Sequence, residues 1–151
     1  MSLENKPRAL VADSERAEID RKVLVWLNTC PDVPVAAVTT EAQLGVNEPG
    51  MAVSATTSAY VSRSYIVGGY QAEYQFTLIY RIRPGNSMNK SLQANETLNR
   101  IGDWAGKNRP DLGQGIRVQK AEPVSIARTY AQYEDGDEDH HIPIKLIYEV
   151  T

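Results

Sequence analysis

The chain has 151 residues, 42 % of them hydrophobic and 23 % charged, with a formal charge of -3 and a single cysteine. A chain of this length buries roughly 70 % of its unfolded surface, enough for one core and not two, and its composition argues against wholesale disorder. The lone Cys30 excludes an internal disulfide, no run approaches the ~18 apolar residues of a membrane span, and the acidic balance lacks the electrostatics of a nucleic-acid binder. With no basic-then-apolar leader at its start, it is expected to be a soluble protein of a reducing cytoplasm.

Residues 1–13 mix charge, Pro7 and a weak apolar patch from Ala9 to Ala12, the pattern of a flexible arm or short pre-helix. A first helix is predicted to start near Asp13 or Ser14, either of which can cap the free amides, and to end before Pro31 and Pro34. Its apolar stripe is Ile19, Val23, Trp26 and Leu27, with Glu18 and Lys22 paired on the wet side. Val35 to Thr40 reads as a short edge strand, and 41–50, rich in Gly, Asn and Pro, as a loop.

From Met51 the composition turns to β-branched and aromatic residues. Gly68-Gly69 between two alternating runs predicts a two-residue hairpin turn. In the second arm Tyr74, Phe76, Leu78, Tyr80 and Ile82 share one face. Pro84-Gly85-Asn86 ends that strand, and Asn86 or Ser87 can cap a second helix whose stripe is Ala94, Leu98, Ile101, Trp104 and Ala105. Two or three more strands are predicted, over Ile116 to Ala121, Val124 to Tyr133 and Ile142 to Val150, with Pro143 at a strand start or on an edge. Strands grouped between two isolated helices predict an α+β fold over 14–151: a mostly antiparallel or mixed sheet with both helices on one face.

Chemistry is sparse. The acidic run Glu134 to Asp139, with Gly136 at its bend, precedes His140 and His141. It fails as a calcium loop because the sixth position is His140 and the twelfth is Leu146. It fails as a zinc site because adjacent histidines on a strand point to opposite faces. A solvated turn is the expected reading. Cys30 sits at a helix C-terminus, where the dipole raises a thiol's pKa, and reads as a small hydrophobe. No G-x-S-x-G elbow and no phosphate-cradling glycine loop occur. Five of the eight tyrosines fall between Tyr60 and Tyr80, a composition shared by sheet packing and subunit interfaces. No enzyme and no cofactor are expected.

Several strings carry a resemblance. They are Trp26-Leu27-Asn28-Thr29-Cys30-Pro31, Pro49-Gly50-Met51-Ala52-Val53-Ser54, Tyr65-Ile66-Val67-Gly68-Gly69-Tyr70 running into Tyr74-Gln75-Phe76, Leu98-Asn99 with Asp103-Trp104, and the acidic turn leading into Ile142 to Tyr148. In this order and spacing the chain resembles the phage minor capsid proteins related to tail-terminator and tail-completion proteins of long-tailed phages. The resemblance spans about residues 16–150. It leaves the arm outside, and His140-His141 stands where a more aromatic strand start belongs.

The resemblance implies a virion protein, assembled in the bacterial host cytoplasm, that forms a ring of typically six copies. Such a ring caps the tail tube at the head–tail junction, contacts the tube protein and the head connector, and lets DNA pass without binding it specifically. It needs neither membrane nor cofactor. On that reading Met51, Val53, Tyr60, Tyr65 and Tyr70 are the expected subunit interface, and Asp135, Asp137, Glu138 and Asp139 an acidic surface facing the lumen or a partner. The alternatives are a monomeric connector ordered on docking and a small-molecule binding module. An enzyme built on His140 or His141 ranks last.

Overall fold

The computed structural model describes residues 9–41, 44, 49–54 and 58–151. Most of the loop expected over 41–50, the end of the run that starts at Met51, and the first eight residues of the expected arm lie outside them. The elements are α1 (Asp13–Leu27), β1 (Val38–Thr40), β2 (Gly50–Val53), β3 (Ser58–Ser64), β4 (Tyr70–Ile82), α2 (Met88–Lys107), β5 (Ile116–Pro123), β6 (Arg128–Gln132) and β7 (Glu138–Val150). The fold is α+β, and the seven strands among the described residues form one mixed sheet.

Two long strands organise the sheet. β4 and β7 pair antiparallel along their whole lengths, from Tyr70 opposite Val150 to Ile82 opposite Glu138. Strict alternation puts Ala72, Tyr74, Phe76 and Leu78 on the same face as Ile142, Ile144, Leu146 and Tyr148, and all of them are buried. The other face is largely polar, with Gln71, Gln75, Lys145 and Glu149 half-buried. β2 and β3 flank β4 at opposite ends, β6 and β5 flank β7 likewise, and β1 adds parallel to β2.

This arrangement corrects the placement of Pro143, which stands mid-strand opposite Thr77. Its carbonyl accepts from the Val124 N–H at 2.8 Å, so its nitrogen faces the same outer side, at the gap between β6 and β5. No ladder acceptor waits there, and the missing donor goes unused.

Both helices pack on the apolar face, because only that face offers partners for their stripes. α1 buries Ile19, Val23, Trp26 and Leu27, and α2 buries Ala94, Leu98, Ile101 and Ala105. Each large side chain so removed from water contributes about 1.5–3 kcal/mol. The rings of Trp26 and Trp104 stack with centroids 5.1 Å apart and join the helices, while Trp26 Nε1 donates to the Asn108 carbonyl at 2.6 Å. The α1 carboxylates reach down to the sheet: Glu15 accepts from Tyr70 and Tyr148, and Asp20 from Tyr74. Burial, then the bond to Glu15, pushes the Tyr70 hydroxyl up to about 12.

Local expectations fail where tertiary contacts win. Ala12, with no capping side chain, is the α1 N-cap, and Asp13 is already helical and pairs with Arg16 at 2.9 Å. Glu18 pairs with Arg21, because Lys22 instead donates to the Leu112 carbonyl at 2.7 Å. Ser87 caps α2 as expected, accepting from the Lys90 N–H at 3.3 Å. Ala9 to Val11 run antiparallel along β3, with Val61 N–H donating to Ala9 at 2.7 Å and Val11 buried in the core. These three residues, within the stretch expected to be a flexible arm or short pre-helix, lie along the exposed edge of β3.

Candidate functional site

The acidic turn is built by β6 and β7. Gly136 is at the bend with φ +96°, and Tyr133 N–H donates to the Asp137 carbonyl at 2.8 Å. β7 begins at Glu138, four residues before the strand expected from Ile142, so Glu138 and Asp139 belong to the strand and not to a solvated loop. Asp137, Glu138 and Asp139 are only 2 %, 8 % and 4 % exposed.

Each has partners. Asp139 receives Arg81 through Nε at 2.7 Å and Nη2 at 2.9 Å, and the Tyr133 hydroxyl at 2.8 Å. Asp137 receives Arg83 Nε at 2.8 Å. Glu138, on the helix face, accepts from Ser91 at 2.7 Å and Gln132 at 3.0 Å and lies 3.0 Å from His140 Nε2. Burial alone would raise both the Asp139 and Glu138 carboxyls, but donated hydrogen bonds, from Arg81 and Tyr133 in one case and Ser91, His140 and Gln132 in the other, hold both below the carboxylate range. Of Asp135, Asp137, Glu138 and Asp139, expected to form an acidic surface facing the lumen or a partner, the last three are thus buried and partnered within the chain. Asp135 alone is exposed, and it accepts the Asp137 N–H at 3.0 Å. Spacing along the chain gave no sign of the arginines, which come from across the β4–β7 ladder.

The two histidines do face opposite ways. His140 is fully buried, with Nδ1 2.8 Å from Asn95 Oδ1 on α2. His141 stacks on Tyr130 with ring centroids 4.0 Å apart, and burial pushes it below the ordinary histidine value. Above Glu138 a polar cleft of about 320 Å³ opens between the start of α2 and β6, lined by Ser87, Ser91, Asn95, Thr129 and Gln132. Among the described residues no group of three or more His, Cys, Asp or Glu side chains is placed to hold a metal. Cys30 is buried, which raises its thiol pKa.

The expected interface residues do not form one patch. Met51 is buried in the core, and Val53, only 9 % exposed, stands at the wall of a cleft beside α1. Tyr60 donates to Glu73 and Tyr65 to Glu149, both on the polar face, whereas Tyr70 reaches α1 on the other. Alternation along paired strands separates them.

A different feature projects instead. The hairpin between β3 and β4 turns two residues earlier than expected: Gly68 N–H donates to the Tyr65 carbonyl at 3.2 Å, and Ile66 and Val67 take the corner. Gly68 and Gly69 follow with φ +92° and +81°. Ile66 and Val67 are 105 % and 96 % exposed. Their signal in the sequence was two β-branched residues directly before paired glycines. A second cleft, about 480 Å³ and mostly apolar, lies beside α1 and the ends of β1 and β2, and Leu24, Val53 and Tyr74 form its walls.

No protein-family model matches the chain, and no curated protein matches it. Among solved structures, a chain from the virion of a native gene transfer agent particle superposes with a TM-score of 0.65 at 13 % identity, over 91 % of this chain and 99 % of that one. The two share a fold. A second solved chain, 16 % identical over 93 % of this chain and 96 % of its own, reaches a TM-score of 0.45, too low to bear on the fold. No helix among the described residues is long and apolar enough to cross a membrane.

Proposed function

We propose that this chain is a structural component of a phage-like particle, working by assembly and not by catalysis, and that it completes the tail at the head–tail junction as a homo-oligomeric ring, six copies being the expected number. The observation supporting a virion role is the fold shared over 99 % of a chain from a gene transfer agent virion. The order and spacing of the strings from Trp26 to Tyr148 support the tail end within such a particle. On this reading its partners are further copies of itself, the tube protein and the connector, and DNA passes through the ring.

With Asp137 and Asp139 paired to arginines and Glu138 hydrogen-bonded under α2, repulsion of phosphate from the lumen falls to the exposed Glu134 and Asp135. The test of the ring is native mass spectrometry over a concentration series, followed by imaging. A closed oligomer supports the reading. A monomer at every concentration that binds a tube subunit transfers the protein to the connector reading. A monomer that binds none, and gains thermal stability with a small ligand, transfers it to the binding-module reading.

A further inference from the structure

We propose that the tip of the β3–β4 hairpin is a plug that seats in the apolar cleft beside α1 of a second copy of this chain. The inference rests on the ring reading above, for which it supplies the joint.

Turn corners ordinarily carry Gly, Asn, Asp, Pro or Ser, because those residues supply the backbone angles or the local hydrogen bonds a corner needs. Here the corner carries Ile66 and Val67, and both side chains stand wholly in water. A single exposed aliphatic residue is ordinary. Two adjacent β-branched residues at a projecting corner satisfy nothing within their own fold, and such local conflicts concentrate where a surface has a task.

The cleft complements the tip in shape and in charge. Its walls are the aliphatic and aromatic surfaces of Leu24, Val53 and Tyr74, and about 480 Å³ admits two aliphatic side chains. Two carboxylates, Asp20 and Glu41, stand at its margin. Asp20 already receives the Tyr74 hydroxyl, while Glu41 is exposed. Beside the tip, Arg63 is exposed at the end of β3. A seated tip brings this cation to the acidic margin, which favours one orientation of the plug.

The tip cannot reach its own cleft. Thr40, at the cleft margin, is in register with Val53 and so with Leu78, whereas the hairpin starts β4 at Tyr70. Eight residues of strand separate the two points by about 26 Å. One patch therefore meets a different patch on the neighbour, the heterologous contact that yields a ring when its rotation closes and a filament when it does not.

The experiment uses the full chain with Val67→Cys and Thr40→Cys, separately and together, oxidised and run on a non-reducing gel. Both positions are exposed, and the buried Cys30 is present in every variant and in the unaltered control. A disulfide requires Cα atoms within about 7 Å. The expected result is a ladder of cross-linked multimers from the double variant and monomers from each single one. A double variant that stays monomeric, or V67C alone giving dimers through tip-to-tip contact, overturns the plug. The paired variant Ile66→Ser with Val67→Ser should keep the monomer's melting temperature and raise the concentration for half-assembly at least tenfold. Unchanged assembly also overturns the plug. A closed ring by mass spectrometry without a ladder leaves the ring standing and removes the plug. A ladder without a closed ring leaves the plug and removes the closure.

Discussion

Asp139→Asn isolates the contact on which the acidic turn depends. The substitution keeps the shape of the side chain but removes the charge that meets Arg81 through two hydrogen bonds, at 2.7 and 2.9 Å, and Tyr133 at 2.8 Å. The Arg81 side chain is 18 % exposed, so bulk water does not replace the carboxylate charge it loses at position 139. Breaking one side of a buried pair costs about 3–5 kcal/mol, and the partial exposure of Arg81 places this case near 3 kcal/mol. For a chain of this size that lowers the melting temperature by about 6–12 °C. Thermal unfolding followed by circular dichroism measures it, with Arg81→Gln and the double variant completing a cycle. Most of the loss should be absent when Asp139→Asn is made in the Arg81→Gln background. A melting temperature within a degree or two of the unaltered protein, or losses that simply add, would refute the reasoning.

Acidification should destabilise the protein in two stages. Burial lowers the His141 pKa in the folded chain, so the stability it contributes above about pH 6.5 is lost as pH falls; Asp139 and Glu138, also held low, add a second loss as pH falls from about 4 through their folded values. Melting temperatures measured from pH 8 to 3 should show both stages, and His141→Phe should remove the first alone; a flat profile contradicts the assignment. Gly102→Ala should lower stability by about 1 kcal/mol despite the helix propensity gained, because the new methyl would stand 2.7 Å from Pro123 Cγ and 3.0 Å from Ile142 Cδ1. Gly106→Ala on the same helix, whose new methyl would meet only the Ala121 carbonyl at 3.5 Å, should instead raise it by about 0.5–1 kcal/mol in urea unfolding.

Whatever depends on local periodicity was legible in the residues. The α1 stripe from Ile19 to Leu27, the α2 stripe from Ala94 to Ala105, the Ser87 cap and the alternation of β4 follow from repeats of 3.6 and 2 that any short window displays. These repeats also determine the fold class, since two amphipathic helices and a one-sided sheet can bury their apolar faces only against each other. Paired glycines marked the hairpin, though the corner fell on Ile66-Val67 because the backbone placed the left-handed residues after the bend.

The candidate site was not legible. An unpaired reading of Asp137, Glu138 and Asp139 made a solvated acidic loop, and tertiary structure made two ion pairs and a buried hydrogen-bond network. The Arg81–Asp139 pair joins residues 58 apart in the chain, and only the antiparallel register of β4 on β7 brings them opposite. Register likewise sent Tyr70 to one face and Tyr60 and Tyr65 to the other, and buried Met51 and Val53. The sequence by itself determined which faces are apolar, because that is a property of each segment. Which charges are neutralised, which tyrosines share a surface and which aliphatic side chains stay in water were decided by how the segments meet, because those energies depend on partners that the local chain does not contain.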